Sequence, residues 1–384
     1  MSEKAVISGA ASTKLGRLEG SSVMSLHAEA ALGALADAGL SLADVDGVLC
    51  SYSITEPHMM MSSVFSEYVG LQPTYSAMVS AGGATGCLMV QTARALIEQG
   101  GFRHILCVTA DNRATGLPPG GAVAALTSFG HGQFEVPYGI TIPACYGLVA
   151  TRYLHEYGAT MEQLAHFSVT QRAYAAQHPL AHMQKPITLE EVCDSRLIAE
   201  PLRLLDCALI SDGGGALVVS AGDAARDLPK PGIAILGAGQ KHTHEHILAA
   251  PSLTDFGCRQ AAAQAFAEAG LTPSDIDVAE VYDSFTITLL IELESIGFCQ
   301  KGEAGKAAER GEFGPDGRLP LNTHGGLLSY GHCGAGGGMF HVIEAVQQLR
   351  GEGGPRQVAD AELAYVHGDG GILSAHTALI LGRA

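Results

Sequence analysis

The sequence predicts an α/β protein of two duplicated halves, residues 1 to 228 and 229 to 384, with a lobe inserted at about residues 112 to 205. Three observations carry this. AEAALGALADAGLSLADVDGVL (residues 28 to 49) is echoed by CRQAAAQAFAEAGLTPSDIDVAEV (residues 258 to 281). TARALIEQGGFRHILCVTAD (residues 92 to 111) is echoed, in the same order, by EAVQQLRGEGGPRQVADAELAYVHGDG (residues 344 to 370). Residues 112 to 205 have no counterpart in the second half. Matched pieces in a fixed order mark a repeated supersecondary unit.

In the first echo an alanine-rich helix ends at an Ala-Gly-Leu corner, and a short loop with Ser and two Asp leads into a β-rich segment. Ala38-Gly39-Leu40 recurs as Ala269-Gly270-Leu271, and Asp44-Val45-Asp46 as Asp275-Ile276-Asp277. The glycine after each helix predicts a left-handed cap. The second echo reads as helix, Gly-Gly turn and strand. Alanine-rich composition alone can mimic one such match, which leaves chance as the competing reading. The inserted segment, with Leu117-Pro118-Pro119-Gly120-Gly121 and PYGITIP (residues 137 to 143), is expected to shape a substrate pocket. Equivalent helix starts then face one cleft, where Gly82-Gly83, the loop after Glu280 and the glycine-rich stretch after Leu321 converge.

The bulk numbers fit this architecture. Apolar residues make up 47%, charged residues 16%, and there are 49 glycines, a compact and turn-rich profile. No long uncharged apolar run suggests a membrane span, and MSEKAVISGAAST lacks the basic-then-apolar pattern of an export signal, so the cytoplasm is the expected compartment. A net charge of -17 argues against nucleic acid as a partner. A small anion remains possible through Arg113, Arg152, Arg172, Lys185 or Arg196. Nine cysteines without a C-x-x-C pair read as buried hydrophobes. Lys241-His242-Thr243-His244-Glu245-His246 on a strand would put three imidazoles on one face, a possible zinc set; a loop near the cleft is the reading adopted, and no metal is assigned.

Two segments carry the chemistry. EVYDSFT (residues 280 to 286) ends a predicted strand, and NTHGGLLSYGHCGAGGGMF (residues 322 to 340) has seven glycines around Ser329, Tyr330 and His332. Such glycines permit sharp turns and close approach. The stretch lacks the Gly-Lys-Ser/Thr ending of a P-loop.

With GGATGCLMVQTARALIEQGG (residues 82 to 101), PLRLLDCALISDGGGALVVS (residues 201 to 220) and the closing YVHGDGG (residues 365 to 371), these segments resemble the thiolase superfamily, nearest the sterol-carrier-protein type, over nearly the whole chain. The resemblance implies the thiolase fold, a layered αβαβα core. It also implies that the first segment should open with a nucleophilic cysteine at a helix N-terminus, where the dipole lowers a thiol pKa. Laid on that pattern, Gly83 takes the nucleophile position. Cys87 comes four residues late, one helical turn further in, and reads as a core residue. Where the family commonly has His-Asp-Cys-Phe, this chain has Tyr282-Asp283-Ser284-Phe285. Gly331-His332 is kept, but Tyr330 precedes it and Cys333 replaces the usual proline.

A helix start without its nucleophile leaves an oxyanion site without covalent catalysis. This is similar to the thiolase-like aldolases that shorten steroid side chains. The implied reaction is retro-aldol cleavage of a 3-hydroxyacyl-CoA to a ketone or aldehyde and a shorter acyl-CoA. Tyr282 and Tyr330 are the expected base and acid, in either order, and His332 an oxyanion donor or relay. Gly83, Ser284, Asn322 and His367 are expected to line the cleft, with Asp283 and Asn322 orienting loops. A tyrosine base needs phenolate stabilised by helix N-termini or an imidazolium. No cofactor is expected to be bound permanently, and coenzyme A enters as part of the substrate. The resemblance further implies a homodimer and a small zinc-ribbon and OB-fold partner that holds acyl-CoA. The competing readings are a thiolase or acyltransferase with an unusual nucleophile such as Cys333, and a non-catalytic acyl-CoA-binding subunit.

Overall fold

A computed structural model describes residues 4–118, 120–127 and 129–383; Pro119 of the proline-glycine segment lies outside the described residues. The N-terminal half runs β1 (Ala5–Ser12), α1 (Val23–Ala38), β2 (Gly47–Ser51), α2 (Met61–Val69), β3 (Tyr75–Val79), α3 (Thr85–Gly100) and β4 (His104–Asn112). Then come α4 (Gly121–Thr127), α5 (Ile142–Tyr157), α6 (Met161–Ala175), α7 (Leu189–Cys193) and the short pair β5 (Leu197–Ala199) and β6 (Leu202–Arg203). The chain returns through β7 (Asp212–Ala221) and α8 (Gly222–Ala225) to β8 (Ile233–His242), α9 (Cys258–Ala269), β9 (Val278–Val281), α10 (Thr286–Ile296), α11 (Ala304–Glu309), α12 (Gly337–Arg350), β10 (Leu363–Gly370) and β11 (Ala375–Arg383).

Nine strands form one sheet in the order β3-β2-β4-β7-β1-β8-β11-β10-β9. Its two runs join where β1 meets β8, with Val6 opposite Ala234 and Ile7 opposite Ile233. Beyond that seam the sheet folds over α3 and α12, which touch strands of both runs. Val90, Ala93 and Ile97 of α3 and Val342, Ile343 and Val346 of α12 fill the space between Leu217 and Val219 on one side and Val366 and Leu379 on the other. Outside, Ala30, Ala31 and Ala34 of α1 cover Val48 and Val218, while Ala261 and Ala265 of α9 pack with Tyr365 and Ile380. The result is five layers, helix-sheet-helix-sheet-helix. Gly39 (φ 71) and Gly270 (φ 68) end α1 and α9 as left-handed caps.

The central helices meet with no side chain between them. A Cβ on Gly86 would lie 2.5 Å from the Met339 nitrogen, and one on Gly338 would lie 2.0 Å from the Gly83 carbonyl oxygen. Gly338→Ala should therefore force α3 and α12 apart and destabilise the protein by about 1–3 kcal/mol, read as a lower midpoint in chemical denaturation. An unchanged midpoint would mean that the crossing does not need that glycine.

Candidate active site

The loop before α3 is folded tightly enough that only glycine fits. Gly82 has φ +56, and a Cβ there would lie 2.8 Å from the Gly370 Cα in the β10–β11 turn. The Thr85 hydroxyl clips the loop, donating to the Gly82 carbonyl at 2.6 Å and accepting from the Ala81 N–H at 3.0 Å. At Gly83 a Cβ would fall 2.1 Å from the Tyr282 hydroxyl oxygen. The phenol fills the space a side chain at Gly83 would need.

Tyr282 leaves the end of β9 at a point held by Asn322. That residue has φ +51, and its amide accepts from the Val281 N–H at 2.6 Å and donates to the Val281 carbonyl at 2.7 Å. Asp283 accepts from the N–H groups of Leu327 (2.7 Å) and Leu328 (3.2 Å), tying this loop to the π-helical turn Gly326–Tyr330. His332 follows that turn. Its backbone pairs with Ser211, which donates its N–H to the His332 carbonyl at 3.0 Å and accepts the His332 N–H on its hydroxyl at 3.2 Å. The two side chains meet with the Tyr282 hydroxyl 3.1 Å from His332 Nε2, and Gly337 at the start of α12 leaves room for both rings.

Both partners rest uncharged. Burial, then the nearby Arg113, pushes the His332 imidazole down to about 3, and burial, then Asp369, pushes the Tyr282 phenol well above its usual range. The imidazolium that would favour a phenolate is therefore not formed in the resting site. A neutral imidazole can instead take a proton delivered through the phenol.

The remaining expected residues lie around this pair or behind it. Tyr330 is buried and shares a hydrogen bond with Ser12 at 2.7 Å; its ring reaches Tyr282 through His324 and His341, at centroid separations of 5.0, 4.9 and 5.9 Å. Ser284 stands beside Tyr282 in sequence with its hydroxyl 3.1 Å from that of Thr288. His367 is fully buried on β10, facing His376 and Glu292 at 3.2 Å each. The Cys87 thiol lies buried inside α3, and burial raises it to about 12. Cys333 is likewise buried and raised to about 12. Of the basic residues, Arg113 borders the site, paired with Asp111 at 3.4 Å, whereas Arg172 is spent on Ser329 at 2.9 Å. Arg152, Lys185 and Arg196 are exposed. The histidine run leaves β8 at His242, so its alternation never becomes one strand face; His244 bonds Thr243 and the Ile372 carbonyl in a loop.

Sequence reasoning missed the buried acid–imidazole set behind Tyr282. Glu280 accepts the Thr323 N–H and hydroxyl, both at 3.0 Å, and lies 2.9 Å from His324 Nδ1. His341 sits between Glu280 (3.6 Å) and Asp283 (3.5 Å), edge-on to the Tyr282 ring. Burial raises the Glu280 carboxyl to about 7. The signals were available: Glu280 opens EVYDSF, His324 stands in NTHGG, and His341 interrupts an apolar helix.

Comparison with known proteins fits this geometry. Residues 239–383 match the thiolase C-terminal domain-like family. The chain is 37% identical to a steroid side-chain-cleaving aldolase of Thermomonospora curvata over 90% of both chains. It is 35% identical to an acetyl-CoA acetyltransferase of Methanothermobacter thermautotrophicus over 97% of both. The solved Ltp2-ChsH2(DUF35) aldolase superposes with a TM-score of 0.87 at 36% identity, covering 99% of this chain and 98% of that one.

Two outcomes follow. Gly83→Ala should destabilise the protein by about 1–3 kcal/mol, and most of that loss should vanish in a Tyr282→Ala background, a coupling that a double-mutant cycle measures. A Gly83→Ala penalty independent of Tyr282 would separate the two residues. The buried imidazoles of His27, His324 and His341, held down to about 4 by burial, stay neutral in the fold while the unfolded chain protonates them near 6.5. Their stabilisation is lost as pH falls from about 6.5 towards about 4. Glu280 acts oppositely, losing its contribution as pH rises through about 7. Counted with His178, His332, His367 and His376, which burial also holds down, these imidazoles outnumber Glu280, Asp283, Glu292, Asp369 and Asp206, which burial pushes up, so denaturation midpoints should drop on acidification through that window.

Proposed function

The chain belongs to the thiolase superfamily, and within it we propose that it is an acyl-CoA aldolase that cleaves a 3-hydroxyacyl-CoA by a retro-aldol reaction. The observation that carries this reading is Gly83 with the Tyr282 phenol in the space beside it. A nucleophilic thiol has no room there, and the buried Cys87 and Cys333 thiols rest protonated. Relatives named steroid side-chain-cleaving aldolase and 17-hydroxy-3-oxo-4-pregnene-20-carboxyl-CoA lyase, the latter 36% identical and from Mycobacterium tuberculosis, support it.

The Tyr282–His332 pair takes the proton from the β-hydroxyl of the substrate. The O–H bond electrons form the carbonyl as the Cα–Cβ bond breaks, and that bond's electrons pass into the thioester enolate. The dipole of α3, which begins two residues after Gly83, stabilises the enolate oxygen. The proton held by the pair returns to Cα, giving the shorter acyl-CoA and a ketone or aldehyde. Coenzyme A enters and leaves as part of the substrate, and no resident cofactor takes part. Tyr330 holds the π-helical turn through Ser12. The acyl group points towards the apolar recess beside Gly371, lined by Phe129, Ile140, Ile142, Cys145 and Ile372. A steroid side-chain ester is the favoured substrate class, by relation to the two aldolases.

The enzyme acts as a homodimer, which the free outer edge of β3 and the exposed Met59, Met60, Tyr68 and Met78 support. A small acyl-CoA-binding partner fits the exposed Phe129, Phe134, Tyr138 and Leu248, as the two-protein name of the solved aldolase suggests. No helix among the described residues is long and apolar enough to cross a membrane; the cytoplasm is the proposed compartment.

The acetyltransferase relative keeps thiolysis as the second reading. Incubation with a panel of 3-hydroxyacyl-CoA and 3-oxoacyl-CoA esters separates them. Release of a short acyl-CoA from the hydroxy ester without free CoA is expected; a strict need for CoA, or a covalent acyl adduct by intact mass, would sink the aldolase. Tyr282→Phe should lower kcat by about 10²-fold or more, and Tyr330→Phe by less than about tenfold. Equal losses would return Tyr330 to the proton chemistry.

A further inference from the structure

Helix α10 is buried along all eleven residues, yet it carries two glutamates, and they are treated in opposite ways. Glu294 accepts from the Tyr153 hydroxyl at 2.6 Å and from the N–H groups of Gly302 (2.9 Å) and Ala304 (3.1 Å), with Lys301 at 3.5 Å. Glu292 has no hydrogen-bond donor on either carboxylate oxygen and no exposure. Beside it Asp369 has one oxygen on the Tyr146 hydroxyl at 3.1 Å and the other unpartnered. No lysine or arginine pairs with either carboxylate among the described residues. Two buried carboxyl groups without a cation must be protonated or hold a metal.

The neighbouring groups are metal ligands in a metal-like arrangement. Cys258 Sγ, His367 and His376 offer ligand atoms within 4.8 Å of one another, and Glu292, Asp369 and His376 do the same. His367 Nε2 and His376 Nδ1 stand 3.2 Å apart. That is close to the separation of about 3.3 Å between two imidazole nitrogens on a tetrahedral zinc ion. The second ring nitrogen of His376 is held as a ligating histidine requires, 2.9 Å from the Leu373 carbonyl, while His367 Nδ1 faces a Glu292 oxygen at 3.2 Å without a hydrogen bond.

We propose that Cys258, His367 and His376 form a buried site for a divalent transition metal of the zinc type, with Asp369 and Glu292 grouped beside it around His376. The thiolate, with the Asp369 and Glu292 carboxyls grouped around His376, balances the charge of the ion. Binding displaces the thiol proton and leaves both imidazoles neutral. The role is structural. Asp369 and His376 flank the β10–β11 turn, whose Gly370 backs directly onto Gly82, so the ion would brace the wall behind the Gly83 loop.

The test uses the full-length protein purified without chelator or a histidine tag. Elemental analysis after equilibration with zinc and desalting should give about one metal per chain. Cobalt-substituted protein should show a thiolate-to-metal charge-transfer band that disappears in Cys258→Ser, and His376→Ala should lower stoichiometry by about tenfold or more. Circular dichroism confirms that the variants fold, and the wild-type stoichiometry stands without them. Less than about 0.1 metal per chain in the wild type would overturn the site and leave a proton-sharing Glu292–His367–His376 chain. Stoichiometric metal lost in His324→Ala but kept in His376→Ala would also overturn it, moving the ion to Glu280, His324 and His341.

Discussion

The bare backbone contact between the starts of α3 and α12 is the constraint on which the site depends. Because Gly86 and Gly338 carry no side chains, the two helices cross close enough for Gly338 to touch the Gly83 carbonyl. The same closeness brings Gly337 beside His332 and Tyr282. The Tyr282 hydroxyl and His332 Nε2, 3.1 Å apart, lie against the start of one of these helices.

Around that contact the interior is unusually polar. Glu280, Asp283, His324 and His341 lie fully buried next to Tyr282, and Glu292, Asp369, His367 and His376 form a second buried set near the Gly370 turn. Desolvation holds His324 and His341 neutral and pushes the Glu280 and Asp283 carboxyls up, which lowers the cost of burying charge beside Tyr282. A neutral Tyr–His pair in such surroundings suits a reaction in which a proton leaves a hydroxyl and returns to carbon. An acyl-enzyme route would instead need a thiolate, and burial opposes every thiol near the site.

Much of the site was legible in the sequence because its motifs are local. Gly83, Tyr282 and His332 are each marked by a short run of neighbours, and the fold brings the three together. Tyr330 could not be placed the same way. Its position two residues before His332 suggests a partner in the cleft, yet the π-helical turn swings its hydroxyl to Ser12 on β1, more than three hundred residues earlier. Asn322 was legible as a loop residue, but that its amide would be consumed by both backbone groups of Val281 depends on a left-handed turn that sequence does not specify.

By itself the sequence determined the family of folds, the repeated order of helix and strand, and the absence of a nucleophile at Gly83, because these rest on local periodicity and residue identity. Only the tertiary structure decided that the Tyr282 phenol occupies the space at Gly83, that His332 rather than Tyr330 is its partner, and that Glu292 is left without donors while Glu294 has several. Those outcomes depend on contacts across hundreds of residues. Burial, which sets the protonation of every group in the cleft, is a property of the packed molecule and not of any segment.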